Sequence, residues 1–250
     1  MVTRGIQGEG RLGFAMEVKG VLWDLDNTLI DFIRMKKAAS DAAARAMVAA
    51  GADFPFLVDE AGEILFANYL QDIEGDKVFE AFLRQHHRQK IGLSQHNLDR
   101  ITAAAVNAYL RTKLLHTEPF PGIRATLLRL AKAGIKQGVL TDAPRFKAYQ
   151  RLEAAGILDM FDFVLTFSDT GAHKPEAGGF RTALDRFDLP PPSVVMVGDW
   201  PERDIVGAKS VGMQAAYAQY GRPMDAIPPE ADVVLKIPTD LLRFVGITGI

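Results

Sequence analysis

The first apolar stretch of the chain is followed at once by acidic residues. Residues 18–22 read VKGVL and run directly into the polar sequence WDLDNTL. A short, β-branched apolar run that ends in polar residues is typical of a buried parallel strand whose carboxyl end carries a site. The pattern therefore predicts a strand at 18–22, with Asp24 and Asp26 just beyond its end.

A long helical region follows this strand. Between Ile33 and about Leu115, apolar residues recur at helical spacing, and no alternating strand pattern interrupts them. The Ala-rich first helix is stopped by Gly51, and Ser94 is suited to cap the N-terminus of the last helix. The sequence thus predicts an all-helical insertion of residues 32–117 directly after the first strand.

Strands and helices alternate in the rest of the chain. The predicted strands cover residues 135–140, 163–167, 194–197, 214–218 and 232–235. One of the intervening helices carries Phe146, Tyr149 and Leu152 on one face. Strands that alternate with helices of about 10–15 residues predict a parallel sheet with helices on both faces. The predicted fold class is therefore α/β, with one core formed by residues 18–31 and 118–250.

Composition and charge narrow the class of protein. The 250 residues are 48% hydrophobic and 24% charged, which is ordinary for a globular protein and excludes a disordered chain. Lys and Arg number 29 against 31 Asp and Glu, so no basic excess is present to bind a nucleic acid. The absence of cysteine excludes thiol catalysis, thiolate metal sites and disulfide bonds, and is compatible with a cytoplasmic location.

The beginning of the chain has none of the features of a targeting segment. Residues 1–17 are Gly-rich and polar, so we expect a flexible tail there, with Met16 as an alternative start of the protein. No apolar run approaches the ~18 residues that a membrane span requires. We therefore expect no membrane partner.

Polar residues follow the ends of several predicted strands. In open α/β sheets, ligands bind beyond the carboxyl ends of the strands, near a switch in strand order. The residues found there, or one loop further on, are Asp24, Asp26, Thr141, Lys174, Asp199 and Asp204. Four carboxylates in one crevice would repel each other strongly, and a hard divalent cation would relieve that repulsion. Because the ligands are all oxygens, the pattern favours Mg²⁺.

The spacing of Asp24 and Asp26 indicates two different roles. Side chains two residues apart in an extended segment point to the same side. One aspartate can then act as the nucleophile, while the other transfers protons to the leaving group and from the incoming water. The hydroxyl of Thr141 and the ammonium of Lys174 are suited to bind the oxygens of a transferring phosphoryl group.

Taken together, these motifs resemble those of the haloacid dehalogenase-like hydrolases. The sequence DLDNTL at 24–29 is similar to the first motif of the family, DxDxT, and Thr141 in LTDAP matches the second. Lys174 in HKP resembles the third motif, and GDWPERD at 198–204 resembles the GDxxxxD form of the fourth. The four motifs occur in the order of the family, and the resemblance covers residues 18–221.

The resemblance implies a catalytic role for four residues. Asp24 would attack phosphorus and form an aspartyl-phosphate, and Asp26 would act first as general acid and then as general base. Thr141 and Lys174 would hold the phosphoryl group, and Lys174 would also restrain the acidic residues. Because dehalogenating members lack an acid/base carboxylate at the position of Asp26, the sequence is more similar to the phosphatases of the family.

The resemblance also implies a metal site and a cap. Asp24, Asp199 and the main-chain carbonyl of Asp26 would bind Mg²⁺, and Asp204 would bind it through water or support the other ligands. The helical insertion, residues 32–117, resembles the cap of subfamily I members, which closes over small substrates. The remaining elements would form the Rossmann-like core of the family.

One candidate residue departs from the family pattern. Asp142 stands where the family often has Asn after the threonine of the second motif. An additional carboxylate near a phosphate is unfavourable unless it faces away. We nevertheless count Asp142, together with Thr141 and Lys174, among the candidate phosphate-binding residues.

Each motif also has a purely structural interpretation. The aspartates would suit acidic turns or helix caps, Thr141 a polar turn, and Lys174 a solvated loop. Trp200, which follows Asp199, is equally compatible with a place at the mouth of a pocket and with one elsewhere.

The predicted function is the Mg²⁺-dependent hydrolysis of a phosphomonoester through an aspartyl-phosphate. The expected partner is a small phosphorylated metabolite, and the protein is expected to be a monomer or a homodimer. Two alternatives stay open: a phosphomutase of the same fold, and a domain that binds Mg²⁺ and phosphate without turnover. The identity of the substrate is not determined by these motifs.

Overall fold

The computed structural model of the protein describes residues 17–71, 77–88, 94–224, 228 and 230–248. All of the candidate site residues lie within these ranges. The predicted tail, residues 1–17, lies outside the described residues except for Glu17. The expectation of a flexible tail therefore stays a prediction.

Six parallel strands form one sheet. They are β1 Gly20–Trp23, β2 Lys136–Thr141, β3 Phe163–Thr166, β4 Val194–Gly198, β5 Gln214–Ala218 and β6 Val233–Leu235. Their order across the sheet is β3-β2-β1-β4-β5-β6, and every neighbouring pair is parallel. The predicted α/β class is confirmed. Because β1 has β2 on one side and β4 on the other, the strand order switches beside β1, where such sheets bind ligands.

Helices surround the sheet and also form a separate group. The helices of the described residues are α1 Phe32–Ala49, α2 Val58–Gln71, α3 Val78–His86, α4 Gln95–Leu115, α5 Ile123–Lys132, α6 Arg145–Ala154, α7 Phe167–Thr170, α8 Ala177–Phe187, α9 Val206–Ser210 and α10 Asp240–Phe244. Among the described residues, none of these helices combines the length and the hydrophobicity that a membrane span requires.

Both faces of the sheet are buried. Successive side chains of a strand point to opposite faces, so each strand contributes to the packing on both. In β1, Val21 and Trp23 belong to one hydrophobic cluster and Leu22 to another. Leu127 of α5 packs into the first cluster and Phe180 of α8 into the second. Burial on both faces explains why the first strand is uniformly apolar rather than alternating.

Helix α6 presents a different face to the core than the sequence pattern indicated. Phe146 is 74% exposed and Tyr149 is 41% exposed, whereas Leu152 is fully buried. Arg151 is buried beside Leu152. The charged residue takes this place on the inner face because its guanidinium pairs with the carboxylate of Asp26.

The helices α1 to α4, which we call the helical segment, share a hydrophobic cluster of their own. Helix α1 packs against both α2 and α4. The cluster includes Met47, Phe54, Leu65, Phe82 and Ile101. The predicted N-cap of α4 is confirmed, since Oγ of Ser94 accepts a hydrogen bond from the main-chain N–H of Asn97 at 3.2 Å.

The chain leaves the sheet for the helical segment and returns from it at adjacent points. Ile30 and Pro119 form an isolated antiparallel bridge. The main-chain N–H of Phe120 donates a hydrogen bond to the carbonyl of Leu29 at 3.0 Å. Both connections therefore lie beside the first motif, although the domain boundaries derived from the sequence stay a prediction.

A close backbone approach holds the turn of the first motif. Asn27 has a left-handed backbone with φ of 59°, and its side chain accepts a hydrogen bond from the main-chain N–H of Ile33 at 3.1 Å. A Cβ atom on Gly221, in the loop after β5, would lie 1.5 Å from the carbonyl oxygen of Asn27. Position 221 therefore requires glycine for the loop to reach this turn.

We expect Gly221→Ala to lower the free energy of unfolding by about 1–3 kcal/mol, the usual cost of overpacking, because the loop must move away from Asn27. Gly178→Ala is the matched control. A Cβ atom there would meet only the Cβ of Ala172, at 3.4 Å, and alanine favours the helix over glycine. Urea denaturation measures the free energy of unfolding of both variants. Equal stability of Gly221→Ala and the unmodified protein would contradict the close approach.

Candidate active site

The carboxyl ends of adjacent strands carry the candidate site residues. Trp23 in β1 pairs in register with Val139 of β2 and Val197 of β4. Asp24 follows β1 directly, and its main-chain N–H donates to the carbonyl of Val197 at 2.9 Å. Asp199 follows β4 directly. The parallel register therefore places these two aspartates at the same edge of the sheet.

Three buried carboxylates face one another at this edge. Asp24, Asp199 and Asp204, which we call the acidic group, offer oxygen atoms that all lie within 4.8 Å of one another. The hydroxyl of Thr28 donates a hydrogen bond to Oδ1 of Asp199 at 3.4 Å. Asp24, which lies far from Asp199 and Asp204 in the sequence, thus converges with them at the edge of the sheet where the strands end.

Lys174 compensates part of the charge of the acidic group. Its ammonium donates hydrogen bonds to Oδ1 of Asp24 and, at 2.6 Å, to Oδ1 of Asp204. Burial alone would lower the pKa of Lys174, but the charges of Asp204 and Asp24 outweigh it and raise that pKa above its ordinary value. The side chain is buried and charged, so the interpretation of Lys174 as a solvated loop residue is wrong.

A π-helical turn, Pro201–Ile205, presents Asp204 to the site. Oδ2 of Asp204 accepts a hydrogen bond from the main-chain N–H of Trp200 at 3.0 Å, and its Oδ1 accepts from Lys174. A Cβ atom on Gly198 would lie 2.3 Å from Cγ of Asp204, so glycine makes room for this carboxylate. Both oxygens of Asp204 therefore already have donors.

The acidic group fits a divalent cation. Burial and the charge of Asp204 raise the pKa of Asp199 to about 7. Burial also raises the pKa of Asp24, against the lowering effect of Lys174. A cation among these carboxylates would oppose both causes, since it favours the charged form of each carboxyl group. The donors are all oxygens, which is the ligand set that suits Mg²⁺.

Asp26 stands apart from the acidic group. Oδ2 of Asp26 accepts a hydrogen bond from Nη1 of Arg151 at 2.6 Å, across 125 positions of the sequence. Burial raises the pKa of Asp26, and the charge of Arg151 opposes this in part. The two aspartates of the first motif therefore form ion pairs with different cations, Lys174 for Asp24 and Arg151 for Asp26.

Arg151 is a site residue that the sequence analysis did not identify. Its side chain is 2% exposed, and its guanidinium carbon lies 4.7 Å from the centre of the Phe32 ring. The sequence pattern does contain an indication of this role. Arg151 stands at helical spacing with Ala148 and Leu152, the other buried residues of α6. Arginine is rarely fully buried unless it is paired.

Thr141 and Asp142 lie at the end of β2. The hydroxyl oxygen of Thr141 accepts a hydrogen bond from the main-chain N–H of Ala143 at 3.1 Å, which leaves the hydroxyl proton to be donated. Oδ1 of Asp142 accepts from the main-chain N–H of Lys174 at 3.0 Å, and its Oδ2 lies 3.5 Å from Nη1 of Arg203. One main-chain donor and one guanidinium thus face the additional carboxylate. Its contact with phosphate stays a prediction.

The candidate catalytic and metal-binding residues line one cavity of about 420 Å³. The sheet edge contributes Asp24, Asp26, Thr141, Asp142, Lys174, Asp199 and Asp204 to its lining. The helical segment contributes Phe32 and Ile33. Trp200 also lines the cavity, and the guanidinium carbons of Arg203 and Arg222 lie 4.7 and 4.3 Å from its ring centre. This placement favours the interpretation of Trp200 as a pocket residue.

Comparison with known proteins identifies the family. Residues 18–212 match the family model of the haloacid dehalogenase-like (HAD) hydrolases. The chain belongs to this family of enzymes, as its four motifs indicated.

Two relatives and one solved structure illustrate the similarity. The chain is 32% identical over 207 residues to the glyceraldehyde 3-phosphate phosphatase of Pyrococcus furiosus. These residues cover 82% of this chain and 82% of the relative. It is 27% identical over 238 residues to the phosphoglycolate phosphatase of Yersinia pseudotuberculosis, covering 93% of this chain and 95% of the relative. The crystal structure of a HAD phosphatase from Thermococcus onnurineus is similar with a TM-score of 0.59 and 26% identity, covering 92% of this chain and 98% of that one.

Cation binding by the acidic group is expected to strengthen as the pH rises through about 7, the pKa of Asp199. Below that pH a proton competes with the cation for the carboxylate. Because the folded pKa is raised, protonation of Asp199 stabilises the metal-free protein, and this contribution is lost as the pH rises through about 7. The increase in melting temperature caused by Mg²⁺ should therefore be larger at about pH 8 than at about pH 6.

Thermal unfolding with and without MgCl₂ at several pH values measures this effect. Asp159→Asn, which changes an exposed carboxyl group outside the cavity, is the control. The stabilisation of this variant by Mg²⁺ should depend on pH as it does in the unmodified protein. A stabilisation by Mg²⁺ that is the same at both pH values would contradict the role of Asp199.

Proposed function

We propose that the protein is a Mg²⁺-dependent phosphatase that hydrolyses a phosphomonoester of a small metabolite through an aspartyl-phosphate. One observation carries the proposal: two carboxyl groups line one cavity in different environments. Asp24 belongs to the acidic group and contacts Lys174, whereas Asp26 lies outside that group and contacts Arg151. A nucleophile must be ionised and a general acid must be protonated. A cation bound at the acidic group would favour the ionised form of Asp24, whereas the carboxyl group of Asp26 lies outside that group.

The residues of the acidic group would hold Mg²⁺. Asp24 and Asp199 would contribute carboxylate oxygens, and Asp26 would contribute its main-chain carbonyl. Because Lys174 and Trp200 already donate to both oxygens of Asp204, this residue is better suited to support the site than to bind the cation directly. The cation, when bound, would reduce the repulsion between the Asp24 carboxylate and the charged phosphoryl group.

In the first step, a carboxylate oxygen of Asp24 attacks phosphorus. The bond between phosphorus and the leaving oxygen breaks, and its electron pair stays on that oxygen. The leaving oxygen takes the proton of the Asp26 carboxyl group and departs as an alcohol. Lys174 and the hydroxyl of Thr141 would bind the oxygens of the phosphoryl group, since both line the cavity beside Asp24.

In the second step, water cleaves the aspartyl-phosphate. The water oxygen bonds to phosphorus while its proton passes to the Asp26 carboxylate. The bond between phosphorus and the Asp24 oxygen breaks, which releases inorganic phosphate and restores both carboxyl groups. Burial raises the pKa of Asp26, which favours the protonated form that the first step needs.

The helical segment is proposed to act as a cap. Phe32 and Ile33, at the start of α1, already line the cavity that contains the catalytic aspartates. A movement of the segment about the adjacent connections at Ile30 and Pro119 would change access of water to the cavity. A cavity of about 420 Å³ suits a small phosphorylated metabolite, and the names of the relatives specify such substrates. A cytoplasmic location is proposed with it.

Release of inorganic phosphate tests the proposed function. The purified protein should release phosphate from at least one member of a panel of sugar phosphates and short acid phosphates. Release should require MgCl₂ and stop when EDTA is added. Conversion of a substrate to an isomeric phosphate without release would instead establish a phosphomutase. Saturable binding of phosphate without turnover of any panel member would establish the non-catalytic alternative.

Two isosteric variants test the roles of the aspartates. Asp24→Asn should reduce phosphate release to the uncatalysed background because the nucleophilic carboxylate is lost. Asp26→Asn should reduce kcat by at least about 10²-fold, the usual scale of general acid–base help. Asp159→Asn, at an exposed position outside the cavity, is the control. Unchanged phosphate release by Asp26→Asn would refute the acid–base assignment.

A further inference from the structure

Arg151 is a buried cation on the inner face of α6. Its side chain is 2% exposed, and it lies beside the fully buried Leu152. Burial of a guanidinium costs free energy unless its charge and its N–H groups find partners. Apolar packing alone would be satisfied by an apolar residue at this position of the inner face. The groups that Arg151 contacts therefore indicate its role.

Two contacts of Arg151 fix the position of its guanidinium. Nη1 donates a hydrogen bond to Oδ2 of Asp26 at 2.6 Å. The ring of Phe32 packs against the guanidinium, with 4.7 Å between the ring centre and the guanidinium carbon. Phe32 is the first residue of α1, so Arg151 connects the first motif with the start of the helical segment. The planar group is thus held on one side by a carboxylate and on another by a ring.

The contact with Asp26 also fixes the carboxyl group. Asp26 lies beyond β1 in an isolated bridge with Ile30, which fixes its backbone but leaves its side chain free to rotate unless a neighbour holds it. The hydrogen bond engages Oδ2, while Oδ1 is buried and accepts no hydrogen bond from the described residues. One oxygen is therefore anchored and the other stays without a donor in the described part of the chain.

We propose that Arg151 is a positioning residue that holds the Asp26 carboxyl group in place for proton transfer. This inference rests on the proposed function, in which the Asp26 proton passes to the leaving oxygen as the bond to phosphorus breaks. A group that transfers a proton must lie within hydrogen-bond reach of the leaving oxygen. A displacement of about 1 Å is enough to cost about 10²-fold in rate. Arg151 itself touches no reacting atom in this role.

The choice of leaving group separates this role from a structural one. An alkoxide needs a proton as it departs, whereas p-nitrophenolate is weakly basic and departs without one. A residue that acts through Asp26 therefore affects the first step with an alkyl phosphate and has little effect with p-nitrophenyl phosphate. A residue that only stabilises the fold affects both substrates to the same extent.

The experiment is a single-turnover measurement with enzyme in excess and MgCl₂ present. The two substrates are p-nitrophenyl phosphate and an alkyl phosphate that the unmodified enzyme hydrolyses. Arg151→Met should slow release of the alcohol by about 10²-fold and release of p-nitrophenolate by less than about 10-fold. The KM for the alkyl phosphate should change little. Arg151→Lys, which restores a cation, should recover part of the lost rate.

Arg124→Met is the matched control. Arg124 donates a hydrogen bond to the carbonyl of Gly156 at 2.7 Å and does not line the cavity, so it ties the end of α6 without contacting Asp26. This variant should lower the melting temperature and leave the ratio of the two single-turnover rates unchanged. If Arg151→Met does not fold, Arg151→Gln, whose shorter and uncharged side chain lacks the guanidinium, should show the same selective loss with the alkyl phosphate.

A double-variant cycle completes the test. If Arg151 acts through Asp26, Arg151→Met should cost the alkyl phosphate reaction little once Asp26→Asn is present. Equal losses with both substrates, or independent losses in the cycle, would overturn the positioning role while leaving the phosphatase intact. If the unmodified protein released neither leaving group, the proposed function itself would fail. The two failures are therefore distinguishable.

Discussion

The close approach of like charges is the constraint on which the rest of the site depends. Asp24, Asp199 and Asp204 are buried with oxygen atoms within 4.8 Å of one another. Unit charges at about 4 Å interact by about 4 kcal/mol even at an effective dielectric constant of about 20. Lys174 lies against two of the three carboxylates and supplies one compensating charge. The remaining negative charge makes this edge of the sheet complementary to a divalent cation.

The same constraint separates the two aspartates of the first motif. Asp24 is part of the acidic group and is held by Lys174, whereas Asp26 turns away from the group toward Arg151. Neighbouring residues of the sequence thus acquire different electrostatic surroundings within one cavity. The glycines of the site serve this arrangement, since Gly198 makes room for Asp204 and Gly221 lets a loop reach the turn after Asp26.

Much of the fold and of the site could be predicted because the signals are local. The strands are short apolar runs bounded by polar residues, and Ser94 caps its helix through a hydrogen bond three positions along the chain. Asp24 and Asp199 follow buried strands directly, and parallel strands bring their carboxyl ends to one edge. The sequence therefore predicts that both aspartates lie at one edge of the sheet, and the pairing of β1 with β4 brings them together.

Short-range patterns along the chain suffice to predict the α/β class, the family and the residue types at the sheet edge. Which side chains meet depends on the long-range packing of the folded chain. Arg151 reaches Asp26 across 125 positions, and this pairing turns the inner face of α6 away from Phe146 and Tyr149. The ion pair between Asp142 and Arg203 is equally non-local. A charged residue on an amphipathic helix identifies its partner only when the packing of distant elements brings the two together.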